Sequence, residues 1–132
     1  MNIPTFKEYL IELSNPSEVK ELEQYLDQMF GEMGFDVNLT KHFVERILGR
    51  EQSVTMDEVT NAFAKLKAKY GDRLMQAKET DRYVGILKDF STSLNIVFEL
   101  KDDKMNNVTI IRKSPNQFQS REFPGGQQLK VW

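Results

Sequence analysis

The sequence predicts an α+β fold, with a helical N-terminal half followed by a sheet of three or four mostly antiparallel strands. The spacing of apolar residues carries this prediction. Up to Gly71 they recur every three or four positions, as on one face of a helix, and beyond it they alternate with polar residues, as in strands. No linker is long enough to separate two domains, so we predict a single domain over residues 1–132.

The first two predicted helices lie in an acidic segment. Residues 5–13 carry apolar side chains at helical spacing and predict a short amphipathic helix. Asn15 before Pro16 predicts the start of a second helix, because asparagine caps helices and proline fits the first helical position. The apolar stripe of this second helix consists of Val19, Leu22, Leu26, Met29, Phe30 and Met33.

Two threonines mark the third and fourth predicted helices. Thr40 is expected to cap the third helix, which should end at Gly49. Thr55 is expected to cap the fourth helix, with Glu58 completing a capping box, and Gly71 should end it. The predicted buried faces consist of Phe43, Val44, Ile47 and Leu48 in the third helix and Val59, Phe63, Leu66 and Tyr70 in the fourth.

The predicted sheet occupies the rest of the chain. Residues 101–107 read as a polar turn in which Asn106 and Asn107 suit a tight reversal, so the strands on either side should pair as a hairpin. Ser114–Gln127 contains two prolines and two glycines and reads as a loop. The predicted strands are Tyr83–Asp89, Leu94–Leu100, Val108–Lys113 and a short closing edge strand at Leu129–Trp132.

Composition excludes several classes of protein. A hydrophobic content of 39% and a charged content of 29% are typical of a globular domain and not of a disordered chain. The absence of cysteine excludes disulfides, and a single histidine excludes a His-rich metal site. No apolar run suits a transmembrane helix, and the N-terminus lacks the pattern of a secretory signal. We therefore predict no membrane partner, no metal and no cofactor.

Charge is unevenly distributed along the chain. Residues 1–39 contain two lysines and eight acidic residues, a net charge of −6, whereas residues 40–132 carry a net charge of +4. One interpretation is a nucleic-acid surface that is shielded by the acidic N-terminal segment. The alternative is a solvated acidic helix beside an ordinary mixed surface.

One histidine and two arginines are spaced for one side of the third helix. His42, Arg46 and Arg50 follow at steps of four, although Gly49 leaves Arg50 just past the helix end. An imidazole transfers protons near neutral pH and guanidinium groups bind phosphate with paired hydrogen bonds, so this set fits a phosphodiester site. The alternative is a solvent-facing histidine on a salt-bridged helix surface.

Polar residues on the strands form a second candidate set. Lys88 stands near the end of the first strand, Asn95 is expected on the non-core face of the second, and Arg112 and Lys113 end the third. In an antiparallel meander these residues can line one concave surface. The alternative is the ordinary polar face of a half-exposed sheet. Asn95 is the most informative of them, because asparagine is rare in strands.

The body of the chain resembles known proteins. From Thr40 to Phe118 it contains His42-Phe43-x-x-Arg46-x-x-x-Arg50, a capped helix, and three strands that include Gly85-Ile86-Leu87-Lys88-Asp89. This order resembles small proteins of myovirus-type tailed phages, and the phage branch of the barnase–EndoU–colicin–RelE group of ribonuclease-like domains. In that group a helical lead-in precedes a meander sheet, and several members cut RNA without metal. The resemblance implies an acidic lead-in at 13–39 and a nuclease-like body at 40–132.

The resemblance to the nuclease group also implies residue roles. His42 would be the general base or acid, and arginines would steady the phosphate and the charge that grows on it. The RNA 2′-hydroxyl would attack the adjacent phosphorus, so that no metal or bound water starts the reaction. The implied catalytic residues are His42, Arg46 and Arg112, and the implied substrate-binding residues are Arg50, Lys88, Asn95 and Lys113.

A second resemblance concerns the N-terminus. The run Thr5-Phe6-Lys7-Glu8-Tyr9-Leu10-Ile11-Glu12 is similar to the capsid-targeting peptides of T-even-like internal head proteins. In that family the prohead protease cuts after glutamate in a Leu/Ile-x-Glu context, and Leu10-Ile11-Glu12 is the only such tripeptide in this chain. The resemblance implies that residues 1–12 dock on the phage scaffold and are removed by cleavage after Glu12.

These features lead to one functional expectation and two rivals. The expectation is a phage-encoded, nuclease-like protein that acts on or binds RNA or another nucleic acid, located in the virion interior or, after delivery with the DNA, in the host cytoplasm. The first rival is a non-enzymatic effector that binds a host protein. The second is a minor virion or packaging component.

Overall fold

The computed structural model describes residues 15–49, 53–120 and 125–132. It has an α+β fold, as predicted, and the predicted helix at 5–13 lies outside the described residues. The helices are α1 (Pro16–Gly31), α2 (Lys41–Leu48) and α3 (Met56–Ala77), and the strands are β1 (Asp36–Leu39), β2 (Tyr83–Asp89), β3 (Leu94–Lys101), β4 (Lys104–Arg112) and β5 (Gln127–Val131).

The strands form one five-stranded mixed sheet in the order β1-β4-β3-β2-β5. The central strands β2, β3 and β4 form an antiparallel meander, as predicted. The prediction of three or four mostly antiparallel strands was wrong, because each outer strand runs parallel to its neighbour: β1 to β4 and β5 to β2. Parallel pairing joins segments far apart in sequence, so a local pattern does not reveal it.

Strand β1 was missed by the sequence analysis, which assigned this region to the helical lead-in. The strand has only four residues, and Val37 is the one that is buried. It forms by pairing Asp36 with Lys104 and Leu39 with Asn107, across more than sixty residues of chain. So short a strand carries too little alternation to be recognised without its partner.

The predicted starts of the three described helices are confirmed. The side chain of Asn15 accepts a hydrogen bond from the backbone of Glu18, Thr40 caps α2, and Thr55 forms a capping box with Glu58. The predicted end of the fourth helix at Gly71 was wrong, because α3 continues to Ala77. Beyond the glycine the helix buries Leu74 and Ala77, and this burial outweighs the cost of about 1 kcal/mol for an internal glycine.

The hairpin between β3 and β4 is confirmed, but its turn lies elsewhere. Asp102 and Asp103 form the reversal, with φ angles of 53° and 61°. Two consecutive positive φ angles suit a two-residue hairpin loop, a conformation that aspartate tolerates better than most residues. Asn106 and Asn107, which were predicted to form the turn, lie inside β4 instead.

Both faces of the sheet are covered, at least in part. The three helices pack on one face to form the main core, where the rings of Phe30 and Phe63 meet edge to face with centroids 5.9 Å apart. On the opposite face Phe118 packs on Ile86 and Val97. Asn95, predicted to lie on a non-core face, points to this second side but is fully buried.

Side chains form hydrogen bonds with backbone groups of both outer strands, β1 and β5. Beside β1, Asp27 accepts a hydrogen bond from the backbone of Val37 at 2.9 Å, and Glu23 accepts one from the backbone of Leu39 at 2.9 Å. Beside β5, the hydroxyl of Tyr70 accepts from the backbone of Lys130 and donates to its carbonyl, both at 3.1 Å. Such contacts protect edge strands against pairing with another chain.

Asp89 should make the stability of the fold depend on acid. Its carboxylate is fully buried and receives hydrogen bonds from Lys65 at 2.9 Å and from the side chain and backbone of Ser91. Burial alone would raise the pKa of Asp89, but the hydrogen bonds and the charge of Lys65 outweigh it and hold the pKa below its ordinary value. The stabilisation is therefore present above the pKa of an unfolded aspartate, about 3.9, and is lost as pH falls through the lower folded value.

We predict that Asp89→Asn lowers the free energy of unfolding at pH 7 by about 2 kcal/mol. Urea denaturation at several pH values measures this. The difference from wild type should begin to shrink below about pH 4, where the unfolded carboxylate takes up a proton, and should shrink further as pH falls through the lower folded pKa. Asp72→Asn, on the exposed side of α3, is the matched control and should change little. A difference from wild type that stays constant down to pH 2 would contradict the prediction.

Candidate functional site

A cavity of about 300 Å³ lies where the side of α2 that faces away from the main core meets the second sheet face. It is the site where candidate residues from distant parts of the sequence meet. We call it the cleft. The residues that line it are His42, Arg46, Thr109, Ile111, Lys113, Phe118, Gln119 and Ser120.

Helix α2 supplies the first side of the cleft. Its N-terminus is fixed by Thr40, whose hydroxyl accepts a hydrogen bond from the backbone of Phe43 and donates one to the carbonyl of Val108 in β4. Because Phe43 is buried in the main core, the other side of the helix faces outward. This places His42, which is exposed, and Arg46, which is half-buried, at the mouth and wall of the cleft.

Strand β4 supplies the floor. Alternate residues of a strand point to the same face, so Thr109, Ile111 and Lys113 project together into the cleft. A β-bulge sets this alternation, because Val97 pairs with Thr109 whereas its neighbour Phe98 pairs with Asn107. The extra residue in β4 shifts the following side chains by one position, and Thr109, Ile111 and Lys113 thereby face the cleft.

The segment after β4 supplies the remaining wall. We call residues 113–120 the strap. Its turn is closed by the carbonyl of Ser114, which accepts hydrogen bonds from the backbone of Gln117 at 2.9 Å and of Phe118 at 3.1 Å. Phe118 is 5% exposed and anchors the strap on the second sheet face. The strap thereby carries Gln119 and Ser120 to the cleft.

Arg112 lies on the other face of the sheet, away from the cleft. Its guanidinium donates hydrogen bonds to the carbonyls of Ser53 and of Thr92, and forms an ion pair with Glu58 at 2.8 Å. Partial burial raises the pKa of Glu58, but the hydrogen bonds and charge of Arg112, together with hydrogen bonds from Thr55, lower it by more. Arg112 therefore joins the start of α3 to the sheet.

Lys88 and Asn95 lie beneath the strap and do not line the cleft. Lys88 is 4% exposed, and its Nζ donates to the carbonyls of Pro115 at 2.8 Å and of Phe118 at 3.0 Å. The side-chain amide of Asn95 donates to the carbonyl of Lys113 at 2.8 Å and to that of Ile111 at 3.2 Å. Both side chains thus hold main-chain groups of β4 and the strap.

Two predicted site residues, Arg50 and Glu12, lie outside the described residues. The sequence analysis missed the cleft residues Thr109, Ile111, Gln119 and Ser120. Strand alternation from Lys113 would have found the first two. No local pattern marks the other two, because they follow an irregular turn.

The cleft is positively charged in its described part. Arg46 and Lys113 contribute cationic groups, and His42 adds an imidazole at its entrance. None of the lining residues in the described ranges carries a carboxylate, and two of them, Ile111 and Phe118, are apolar. Such a cavity can hold an anionic group beside a flat apolar one.

Two further findings concern the described residues alone. No group of three or more His, Asp or Glu side chains among them is placed to hold a metal ion. None of the three helices combines the length and the apolar composition that crossing a membrane requires.

The cleft is assembled from distant parts of the chain. Its lining residues come from α2, β4 and the strap, three segments that no short motif connects. No protein-family model, no curated protein and no solved structure matches this chain.

Proposed function

We propose that the protein binds the backbone of single-stranded RNA in the cleft and acts as a nuclease-like protein of a tailed phage. One observation supports the proposal above all: His42, Arg46 and Lys113 line the same cavity although they lie up to 71 positions apart. Phosphate binding needs such convergence of cationic donors.

The chemistry divides among the three residues. Arg46 contributes a guanidinium, a planar cation whose shape matches phosphate oxygens, and Lys113 adds a compact positive charge. His42 lies at the entrance and is the group that could take the proton of the RNA 2′-hydroxyl. The half-buried side chain of Ile111 offers an apolar surface for a base, which favours an unpaired strand over a duplex.

The proposed binding predicts a defined response to salt. Wild-type protein should bind a labelled single-stranded RNA with an affinity that falls as salt rises, measured by fluorescence anisotropy in EDTA. Arg46→Ala and Lys113→Met should each weaken binding and reduce the slope of log K against log salt by about 0.7. Lys101→Met, which removes an exposed lysine at the end of β3, is the matched control and should leave both quantities unchanged.

The same experiment decides between the proposed function and its rivals. Salt-independent binding, or equal losses in all three variants, would contradict the assignment of the cleft. RNA cleavage by wild type in EDTA that His42→Ala abolishes would identify an enzyme. Binding without cleavage would leave an RNA-binding protein. The absence of any RNA binding, with capture of one discrete host protein, would favour the effector.

A further inference from the structure

Lys88 holds the strap by an unusual set of contacts. Its Nζ donates to the carbonyl of Pro115 at 2.8 Å and to that of Phe118 at 3.0 Å, so one amine joins both ends of the turn that builds the cleft wall. Lys88 comes from β2, two strands away from the β4 residues that form the floor of the cleft. Strand β2 therefore holds the strap, which forms the wall of the cleft, in place.

Such burial of a lysine is costly. Lys88 is 4% exposed, and within the described ranges it forms no ion pair. Burial, together with the charge of Lys130, lowers the pKa of Lys88. An apolar residue at position 88 would avoid the cost of burying a charge. It would, however, leave the carbonyls of Pro115 and Phe118 without this donor. The gain that offsets burial is thus the fixed position of the strap.

We propose that Lys88 is a positioning residue for the cleft: it fixes the strap through the carbonyls of Pro115 and Phe118, and RNA affinity depends on it although it does not touch the RNA. This inference rests on the proposed function of the cleft. It differs from the role that the sequence suggested, because a residue that binds substrate directly would line the cavity, and Lys88 does not.

The contacts of the strap explain why its position should affect RNA affinity. Phe118 packs on Ile86 and Val97, and the residues that follow it, Gln119 and Ser120, form the wall opposite α2. If the contacts of Lys88 are removed, the strap keeps the packing of Phe118, its turn bonds to the carbonyl of Ser114 and the hydrogen bonds of Asn95 at its start, but it loses the side-chain donor that ties Pro115 and Phe118 to β2. The wall then samples several positions, and RNA must order it on binding at a cost in affinity.

The test separates positioning from direct contact by means of salt dependence. Lys88→Met keeps the length and apolar stem of the side chain but removes its donors. We expect RNA affinity to fall about tenfold with the salt slope unchanged, because no phosphate contact is lost. Lys113→Met is the matched variant, since it removes a lysine that lines the cleft, and its slope should fall by about 0.7.

Hydrogen exchange of the full chain without RNA gives a second readout. The amides of Gln117 and Phe118, which donate to the carbonyl of Ser114, should exchange faster in Lys88→Met, while those in the centre of β3 should not change. If Lys88→Met does not fold, Lys88→Gln, which reaches at most one of the two carbonyls, takes its place in both measurements.

The outcomes are distinct. A slope that falls in Lys88→Met as it does in Lys113→Met would make Lys88 a phosphate contact and overturn the inference. Unchanged affinity, or unchanged exchange of the Gln117 and Phe118 amides, would overturn it as well. If the wild type binds no RNA but those amides exchange faster in the variant, the proposed function fails while Lys88 keeps its role in fixing the strap.

Discussion

Replacement of Gly85 by alanine should lower the free energy of unfolding by about 3 kcal/mol, through overpacking of the main core. Gly85 lies in β2 directly opposite Phe98 of β3. A Cβ added at Gly85 would stand 2.8 Å from Cε1 of Phe98 and closer still to its Cζ. The ring is fully buried, so it cannot swing aside without displacing its neighbours.

A double-mutant cycle tests this explanation. Phe98→Leu alone should also destabilise the fold, because it leaves a cavity. Combined with Gly85→Ala, however, the smaller side chain gives room to the new methyl group, and the double variant should be more stable than the sum of the two losses predicts. Urea denaturation of the four proteins supplies the four free energies.

The control for this cycle is Gly31→Ala in the last turn of α1. A Cβ at Gly31 would meet nothing within 4 Å, so we expect no loss of stability. Additive losses for Gly85 and Phe98 would mean that the glycine is required for a reason other than the ring.

Glu58→Ala should lower the free energy of unfolding by about 3 kcal/mol. One oxygen of this carboxylate accepts from the backbone and the hydroxyl of Thr55 and from the guanidinium of Arg112. The substitution therefore removes the Glu58 half of the capping box of α3 and takes the Glu58 carboxylate away from the partly buried Arg112. Thermal and urea denaturation measure the loss.

The carboxylate of Glu58 also determines how the free energy of unfolding changes with pH. The pKa of Glu58 is lowered in the fold, so its stabilisation is present above the pKa of an unfolded glutamate, about 4.3, and is lost as pH falls through the lower folded value. The loss caused by Glu58→Ala should therefore shrink in acid. Asp57→Ala, an exposed acidic residue one position earlier, is the control and should cost only about 0.5 kcal/mol.

Arg112→Ala completes this comparison. It should destabilise the fold by a similar amount, while the folded variant binds RNA with the salt slope of wild type, since Arg112 does not line the cleft. A reduced salt slope in this variant would return Arg112 to the site where the sequence placed it. An unchanged free energy of unfolding would contradict its role in joining α3 to the sheet.

The elements that the sequence predicted well are those with local signals. Caps at Asn15, Thr40 and Thr55 act on backbone groups two or three residues away, and so the sequence contains the complete interaction. The alternation of β3 is equally local. By contrast, β1 and the parallel pairing of β5 depend on partners in distant segments, and the end of α3 depends on what Leu74 packs against.

In the candidate site, too, features with local signals were predicted and features that depend on distant contacts were not. The spacing of His42 and Arg46 correctly placed them on one side of a helix. Arg112 and Lys113 were grouped as one set, but neighbours in a strand point to opposite faces, and only Lys113 reaches the cleft. The burial of Lys88 and Asn95 could not be foreseen, because it is created by a strap whose path follows no regular pattern.

The contacts of Glu23 and Asp27 with β1 have a consequence for the molecule in concentrated solution. The amides of Val37 and Leu39 bind these carboxylates, and a second chain that approached would find them already engaged. Helix α1, which covers part of the core, thus also prevents β1 from pairing with a strand of another copy. Loss of α1 would expose the backbone amides of β1 to pairing with another copy of the chain, so α1 contributes to solubility as well as to packing.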